Sequence, residues 1–401
     1  MTSALGGPSS PRTDEDRHDW GMLALSWLLY FSFTFTVASL FPIVGVVRED
    51  LDLSYAAIGV VLGGWQLVYL VAAIPVGMLV DRFQPKLVLF AGTLVVAASQ
   101  LCRSYAHDFT SLFLAVALLG LGGPVMSVGL PKVVSEWFTG RHRALASGIY
   151  VTGAQMGHLA ALAATSLVVV LVGDSWRVTL RIYAAVVVVN ALVWLVRAKP
   201  SDRTGAEVAT SVLGGLRHVV RLPGLWLVVV VGFSGFLASH GYRSWLPEMV
   251  GSKGMSATTA GLVAAVPAFC GLFGSILIVR FGSRRNRRVT VVCLLSVVGA
   301  AMLVAAWATG PLLIAAVALE GFCAAALMPT MMNTLMDLPQ IGPAHMGAAA
   351  GLYFTIGEMG GFTGPAIIGV MVSLTGSFPA GILVLSLVMW AMILPASRLS
   401  A

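Results

Sequence analysis

Twelve apolar stretches, each near the roughly 20 residues a helix needs to cross a hydrocarbon core, follow one another along the chain. They fall at 21–47, 55–80, 87–104, 109–135, 143–172, 176–196, 224–246, 256–281, 289–308, 311–335, 346–373 and 378–396. Turn and charge clusters such as Arg48–Asp52, Thr139–Arg143 and Arg280–Arg288 separate them. No backbone polar group can face lipid unpaired, so stretches of this length must close their hydrogen bonds internally, as helices. The ten-residue alternation of a membrane barrel is absent. Only 10% of the residues are charged, against about a quarter in soluble domains. The expected fold is an all-α membrane protein of twelve transmembrane helices.

Residues 198–222 form the one long connection, with Lys199, Arg203, Arg217 and Arg221 around an apolar run. Part of it is expected to lie as an amphipathic helix on the membrane surface. The chain then divides into a tail (1–19), a six-helix bundle (20–197), the linker (198–222) and a second six-helix bundle (223–401). With the N-terminus inside, the tail, alternate loops and C-terminus hold most of the 24 Lys and Arg, and the opposite loops only Arg48, Arg103, Arg177 and Lys253. That bias places both termini in the cytoplasm. It also accounts for the net charge of +7 without nucleic acid. The polar start, with Pro11 and the mixed charges of Arg12–Asp19, reads as a cytoplasmic tail and not a signal peptide. Cys102, Cys270, Cys293 and Cys323 lie in apolar segments without a C-x-x-C pair and read as packing residues. No phosphate loop, zinc spacing or nucleophile motif stands out. No enzyme, metal or cofactor is expected, and energy must come from a gradient.

The two halves repeat each other. Gly148–Gly157 returns 203 residues later as Gly351–Gly360, matching at Gly148/Gly351, Tyr150/Tyr353, Thr152/Thr355, Met156/Met359 and Gly157/Gly360. Gln155 is answered there by Glu358. A shift of 202 aligns Ser54 with Ser256, Gly59 with Gly261, Arg82 with Arg284 and Lys86 with Arg288, and a shift of 201 aligns Gly120 with Gly321. Two parallel repeats around a central site are a recurring transporter design, because one half can rock against the other.

Gly77-Met78-Leu79-Val80-Asp81-Arg82-Phe83-Gln84-Pro85-Lys86 resembles the loop motif between helices 2 and 3 of the major facilitator superfamily. Gln84 and Pro85 replace its usual Gly and basic residue. Leu130–Phe138 with Ala144–Gly148 resembles the nitrate/nitrite porter and cyanate transporter branches, and Ser244–Pro247 with Gly254–Ser256 and Ala260-Gly261 resembles the cyanate-type branch. The resemblance implies a secondary active transporter of a small anionic solute, working as a monomer in a plasma membrane by alternating access, as a symporter or antiporter. Nitrate porters of the family bind their anion with arginines in helices 2 and 8. Here helix 2 offers Trp65, Gln66 and Tyr69, and helix 8 carries no charge until Arg280, which speaks against nitrate.

Ionisable groups inside a membrane helix are functional candidates because an unpaired charge there costs at least about 2.5 kcal/mol. Glu358 and Glu320 are mid-span acids suited to carrying a proton. The duller reading of each is a neutral, hydrogen-bonded packing acid. Arg243, with His240 three residues earlier on the same face, suits a planar anion because a guanidinium is a rigid fork of donors. It can equally snorkel to the outer interface. Lys132 and Arg181 are anion contacts by the same logic, Lys132 with the rival role of pairing with Glu136. Tyr30, Gln66, Tyr69, Tyr150, Gln155 and His158 complete the expected substrate-binding set. Gly77, Asp81, Arg82, Lys86, Arg284 and Arg288 form an expected cytoplasmic gate, an acid at a helix end facing basic loops. The alternative left open is a proton-coupled exporter of drugs or metabolites, which fits the acids and aromatics but not cationic groups in the cavity.

Overall fold

The computed structural model describes residues 18–200, 212–281, 286–338 and 340–399. Among them are twelve spans: 1 (Trp20–Asp50), 2 (Tyr55–Val80), 3 (Pro85–Arg103), 4 (Phe109–Trp137), 5 (Leu145–Leu171), 6 (Trp176–Arg197), 7 (Pro223–Gly251), 8 (Ala257–Arg280), 9 (Arg287–Trp307), 10 (Gly310–Met336), 11 (His345–Thr375) and 12 (Phe378–Ala396). Short connections turn the chain back each time, so span 1 starts, and span 12 ends, on one face, called here the terminal face. Asp19 caps span 1, accepting from the amides of Gly21 and Met22, and its carboxylate pairs with Lys199 beyond span 6 at 2.6 Å. Burial raises the pKa of Asp19, but Lys199 and the two amides outweigh it and hold the group below the ordinary carboxylate range.

Span 1 is not continuous. It runs as helix over Trp20–Ala38, passes through a 3₁₀ turn at Phe41–Ile43 and resumes over Val44–Asp50. Pro42 has no N–H to donate and clashes with the preceding turn, so carbonyls before the break lose their helical partners. Arg103, 1% exposed at the end of span 3, donates from Nη1 to the Thr36 carbonyl at 2.8 Å, and Gln100 exchanges hydrogen bonds with Ser39. Arg103 is thus a buried brace for the break, where the sequence suggested a loop cation.

The two halves are built alike. Spans 1 and 5, 2 and 4, 3 and 4, and 3 and 6 pack together, and so do 7 and 11, 8 and 10, 9 and 10, and 9 and 12. The repeat glycines explain how. A Cβ on Gly120 would lie 2.2 Å from the Trp65 carbonyl oxygen, and one on its counterpart Gly321 would lie 2.3 Å from the Pro267 carbonyl oxygen. Gly157 likewise meets the Phe31 carbonyl at 2.3 Å, and Gly360 the Phe233 carbonyl at 2.5 Å. Small residues let helix backbones approach closely where lipid removes the hydrophobic drive for association. The glycine face of span 5 therefore serves its own half, and the seam between halves is made elsewhere. Because Gly321 opposes backbone and not a yielding side chain, Gly321→Leu is expected to cost at least about 1–3 kcal/mol. A lowered melting temperature in detergent, and a smaller monodisperse fraction, would register it.

Spans 2 and 11, and spans 5 and 8, join the halves. A Cβ on Gly59 would lie 2.6 Å from the Pro365 carbonyl oxygen and one on Gly261 2.5 Å from the Leu162 carbonyl oxygen, again a repeat-related pair. The Ala56 amide donates to Ser373 Oγ at 2.9 Å and the Trp245 indole to the Pro365 carbonyl at 2.9 Å. These contacts lie in the parts of the spans remote from the terminal face. Toward the terminal face the halves part: around Gly148, Gly347 and Gly351 nothing lies within 4 Å of an added Cβ. The linker contains a helix at Val212–Val219, as the sequence suggested, but it packs inward against span 11. Its Val219 is buried, and His218 stacks on His345 with ring centroids 4.4 Å apart.

Candidate functional site

Two cavities lie between the halves on the open side of the seam. The larger, about 670 Å³, is a chamber walled by Tyr30 of span 1, Tyr69, Leu70 and Ile74 of span 2, Met126 and Ser127 of span 4, Tyr150 of span 5 and Leu352, Phe354 and Thr355 of span 11. Leu216 of the linker helix stands in the same wall. Tyr30 and Tyr150 stack at 5.9 Å, and the Tyr69 hydroxyl bonds Ser127 Oγ at 2.9 Å. Among the described residues the chamber walls carry no charged side chain.

The smaller cavity, about 180 Å³, is polar and lies deeper along span 7. Gln155, Ser239, His240 and Arg243 line it, with Phe236 and Tyr353 beside them, and Met328 lines both cavities. Residues 236, 239, 240 and 243 fall on one side of span 7 by the three-to-four-residue period of a helix. Arg243 makes no hydrogen bond or ion pair with protein among the described residues, and its buried Nε has no partner. Its charge is felt by His158, His240 and Glu320. The guanidinium therefore faces the cavity and not the outer interface.

Behind this wall lie the two acids. Glu358, 8% exposed, lies near Gln66 and His240 where spans 2, 7 and 11 converge. A Cβ added to Gly361 would lie 3.2 Å from each of Gln66 Nε2, Glu358 Oε2 and His240 Cδ2. Gln66 Nε2 and His240 Nδ1 are 3.3 Å apart across the seam, while Gln66 Oε1 and Glu358 Oε2 are buried without a partner. Glu320 is fully buried, 0% exposed, and both its carboxylate oxygens lack hydrogen bonds. It sits one layer outside the cavity near Tyr242 and Arg243 and does not line it.

Of the expected substrate-binding set, Arg243, His240 and Gln155 line one pocket, and Tyr30, Tyr69 and Tyr150 the other. His158 sits against Phe41, ring centroids 5.8 Å apart, with Nε2 buried and unbonded. Two expected anion contacts are elsewhere. Lys132 donates from Nζ to the Val80 carbonyl at 2.7 Å, tying span 4 to the end of span 2. Arg181 is exposed near the remote face, its guanidinium 4.7 Å above the Tyr105 ring. In both cases depth along the helix was right for a cavity but the facing was not. Ser239 and Phe354 line the cavities and were missed, since neither is ionisable nor part of a repeat identity.

Of the expected gate, Arg82 and Arg288 are exposed at the terminal face and Gly77 borders open space. The Lys86 carbonyl accepts the Trp194 indole N–H at 2.9 Å. Arg284 lies outside the described residues, as does the side chain of Asp81. On the second-half side, Arg287 pairs with Asp337 and donates to the Asn333 carbonyl at 2.9 Å.

Known proteins resemble this chain in sequence or in fold. A hexuronate transporter of Bacillus subtilis is 23% identical over 361 residues, covering 84% of each chain. A putative tartrate transporter of Agrobacterium vitis is 24% identical over 367 residues, covering 84% of this chain and 80% of its own. Both names are those of organic-acid carriers, not of nitrate or cyanate carriers. The structure of a bacterial homologue of the lysosomal transporter Spinster, in an inward-facing and occupied conformation, superposes with a TM-score of 0.74 at 16% identity, covering 94% of this chain and 96% of that one. The family profile of the Major Facilitator Superfamily matches residues 26–365 and 241–400. With twelve spans in two like halves and a cavity between them, the chain belongs to the Major Facilitator Superfamily of membrane transporters.

Proposed function

We propose that this transporter carries a small organic anion across a prokaryotic plasma membrane in symport with a proton, the terminal face being cytoplasmic. The observation that carries the reading is Arg243, an unpaired guanidinium lining a cavity between the halves. A charge held that way has its natural partner in the solute, and a guanidinium matches a carboxylate in a bidentate fashion. The organic-acid carriers among its relatives support the same class. The excess of Lys and Arg in the loops of the terminal face supports the orientation.

Proton coupling follows from the layout of the polar groups. His240 borders the Arg243 pocket on one side and contacts Gln66 on the other, with Glu358 nearby around Gly361. Like charges close together in a low-dielectric site disfavour each other. An anion beside Arg243 therefore favours a neutral, proton-bearing Glu358, and solute and proton bind together. Gln66 belongs to the first half and His240 and Glu358 to the second, so rocking the halves pulls Gln66 away from His240 and changes the surroundings of the proton. Glu320 is the competing carrier, acting through Arg243 alone. Asp81, Arg82, Lys86 and the basic residues before span 9 would close the cytoplasmic side by charge pairing in the opposite state.

In proteoliposomes, an inward-directed proton gradient is expected to drive anion accumulation by the native protein. Glu358→Gln is expected to lose that accumulation and keep anion exchange, because the binding pocket is intact. Accumulation that still follows the gradient in Glu358→Gln and is lost in Glu320→Gln would reassign the proton to Glu320.

A further inference from the structure

The relatives' names suggest polyhydroxylated or doubly charged acids, yet the cavities of this chain are built for something else. The polar pocket offers a single charged side chain, Arg243, in about 180 Å³. The adjoining chamber is more than three times larger, about 670 Å³, and offers no cation among the described residues. Together they are within the range that holds a drug-sized molecule. A second carboxylate reaching into the chamber would find tyrosine rings and aliphatic side chains.

A sugar acid fares little better. Its row of hydroxyls needs a matching row of donors and acceptors once the halves close and water leaves, because a buried hydroxyl without a partner loses its hydration uncompensated. The chamber supplies few such groups. The Tyr69 hydroxyl and Ser127 already bond each other, leaving Tyr30, Tyr150 and Thr355 as the remaining polar side chains in the wall. The stacked Tyr30–Tyr150 pair and Phe354 instead present ring faces and edges, which suit a flat apolar or aromatic body.

We infer that the preferred substrate is an amphipathic monoanion, one carboxylate on an aromatic or otherwise apolar body, held with its carboxylate at Arg243 and its body among Tyr30, Tyr150 and Phe354. The inference rests on the anion reading of Arg243 and narrows it. It also explains the aromatic content that a drug exporter would share, while retaining the cation such an exporter does not need.

The test is calorimetric binding to the purified full-length protein with four probes: 3-phenylpropionate, glucuronate, tartrate and phenethylamine. 3-Phenylpropionate is expected to bind at least about tenfold more tightly than glucuronate, the equivalent of about 1.4 kcal/mol, with tartrate weaker still. Phenethylamine, with the same ring and the opposite charge, is expected not to bind. Arg243→Gln should remove 3-phenylpropionate binding, and Phe354→Ala should weaken it while leaving glucuronate unchanged. Glucuronate or tartrate binding as tightly as 3-phenylpropionate, and still requiring Arg243, would overturn the amphipathic class and leave the anion reading standing. Binding of 3-phenylpropionate that survives Arg243→Gln, tight binding of phenethylamine, or no Arg243-dependent binding of any probe would overturn both.

Discussion

Arg243→Gln is expected to abolish anion transport in a protein that folds normally. The side chain has no hydrogen bond or ion pair to lose among the described residues, so its removal breaks no brace. Its charge faces two histidines, His158 and His240, as well as the buried acid Glu320. What disappears is the only cation among the described residues in the walls of either cavity. Removing one partner of a desolvated charge pair costs about 2–5 kcal/mol, roughly 30-fold to several thousandfold in affinity. Arg243→Lys should recover part of this, keeping the charge and losing the planar fork. Melting temperature, binding affinity and initial uptake rate measured on the same preparations separate a lost site from a lost fold. Native-like uptake by Arg243→Gln would remove the anion contact altogether.

Closing the seam with bulk should be almost as damaging by a different route. A Cβ on Gly59 would sit 2.6 Å from the Pro365 carbonyl oxygen, and one on Gly369 would sit 2.3 Å from the Tyr55 carbonyl oxygen. Neither backbone can swing aside as a side chain could. Gly59→Leu therefore forces spans 2 and 11 apart on the remote face, while packing within each half is untouched. A penalty of about 1–3 kcal/mol on the closed seam shifts the balance between the two access states by about 5- to 150-fold. Uptake is expected to fall in proportion, with anion binding retained. A cysteine introduced at Ser373, beside the Ala56 amide, should become more reactive in the same variant. Unchanged uptake and labelling would mean that this glycine contact is not part of the alternating closure.

These two effects differ in how far the sequence foretold them. The repeat offsets led directly to glycines doing equal work in both halves. Gly120 and Gly321 each meet a span backbone, Gly59 and Gly261 face each other's half, and Gly157 and Gly360 sit against Phe31 and Phe233. Spacing alone carried that, because a duplicated fold repeats its close approaches. Facing was harder to read. A span that is apolar all round has no polar stripe to orient it, so Lys132 and Arg181 could be placed in depth but not around the helix. Arg243 was placed well because His240 lies one turn away and gives that face a direction. Arg103 was misread because its partner, the Thr36 carbonyl, is backbone exposed by a break that the single residue Pro42 only hinted at. Glu320 was found as mid-span but not as hidden behind the wall, since a lone acid says nothing about which neighbour covers it.

The linker helix Val212–Val219 has no counterpart in either half, yet Leu216 stands in the chamber wall and His218 rests on span 11. The entrance on the terminal face is therefore lopsided even though the bundles are twins. A solute leaving by that route passes a segment that duplication did not copy, and the ancestral half-molecule could not have supplied it. Divergence in this one connector can change which solutes escape, and how fast, while both bundles and the polar pocket between them stay as they are.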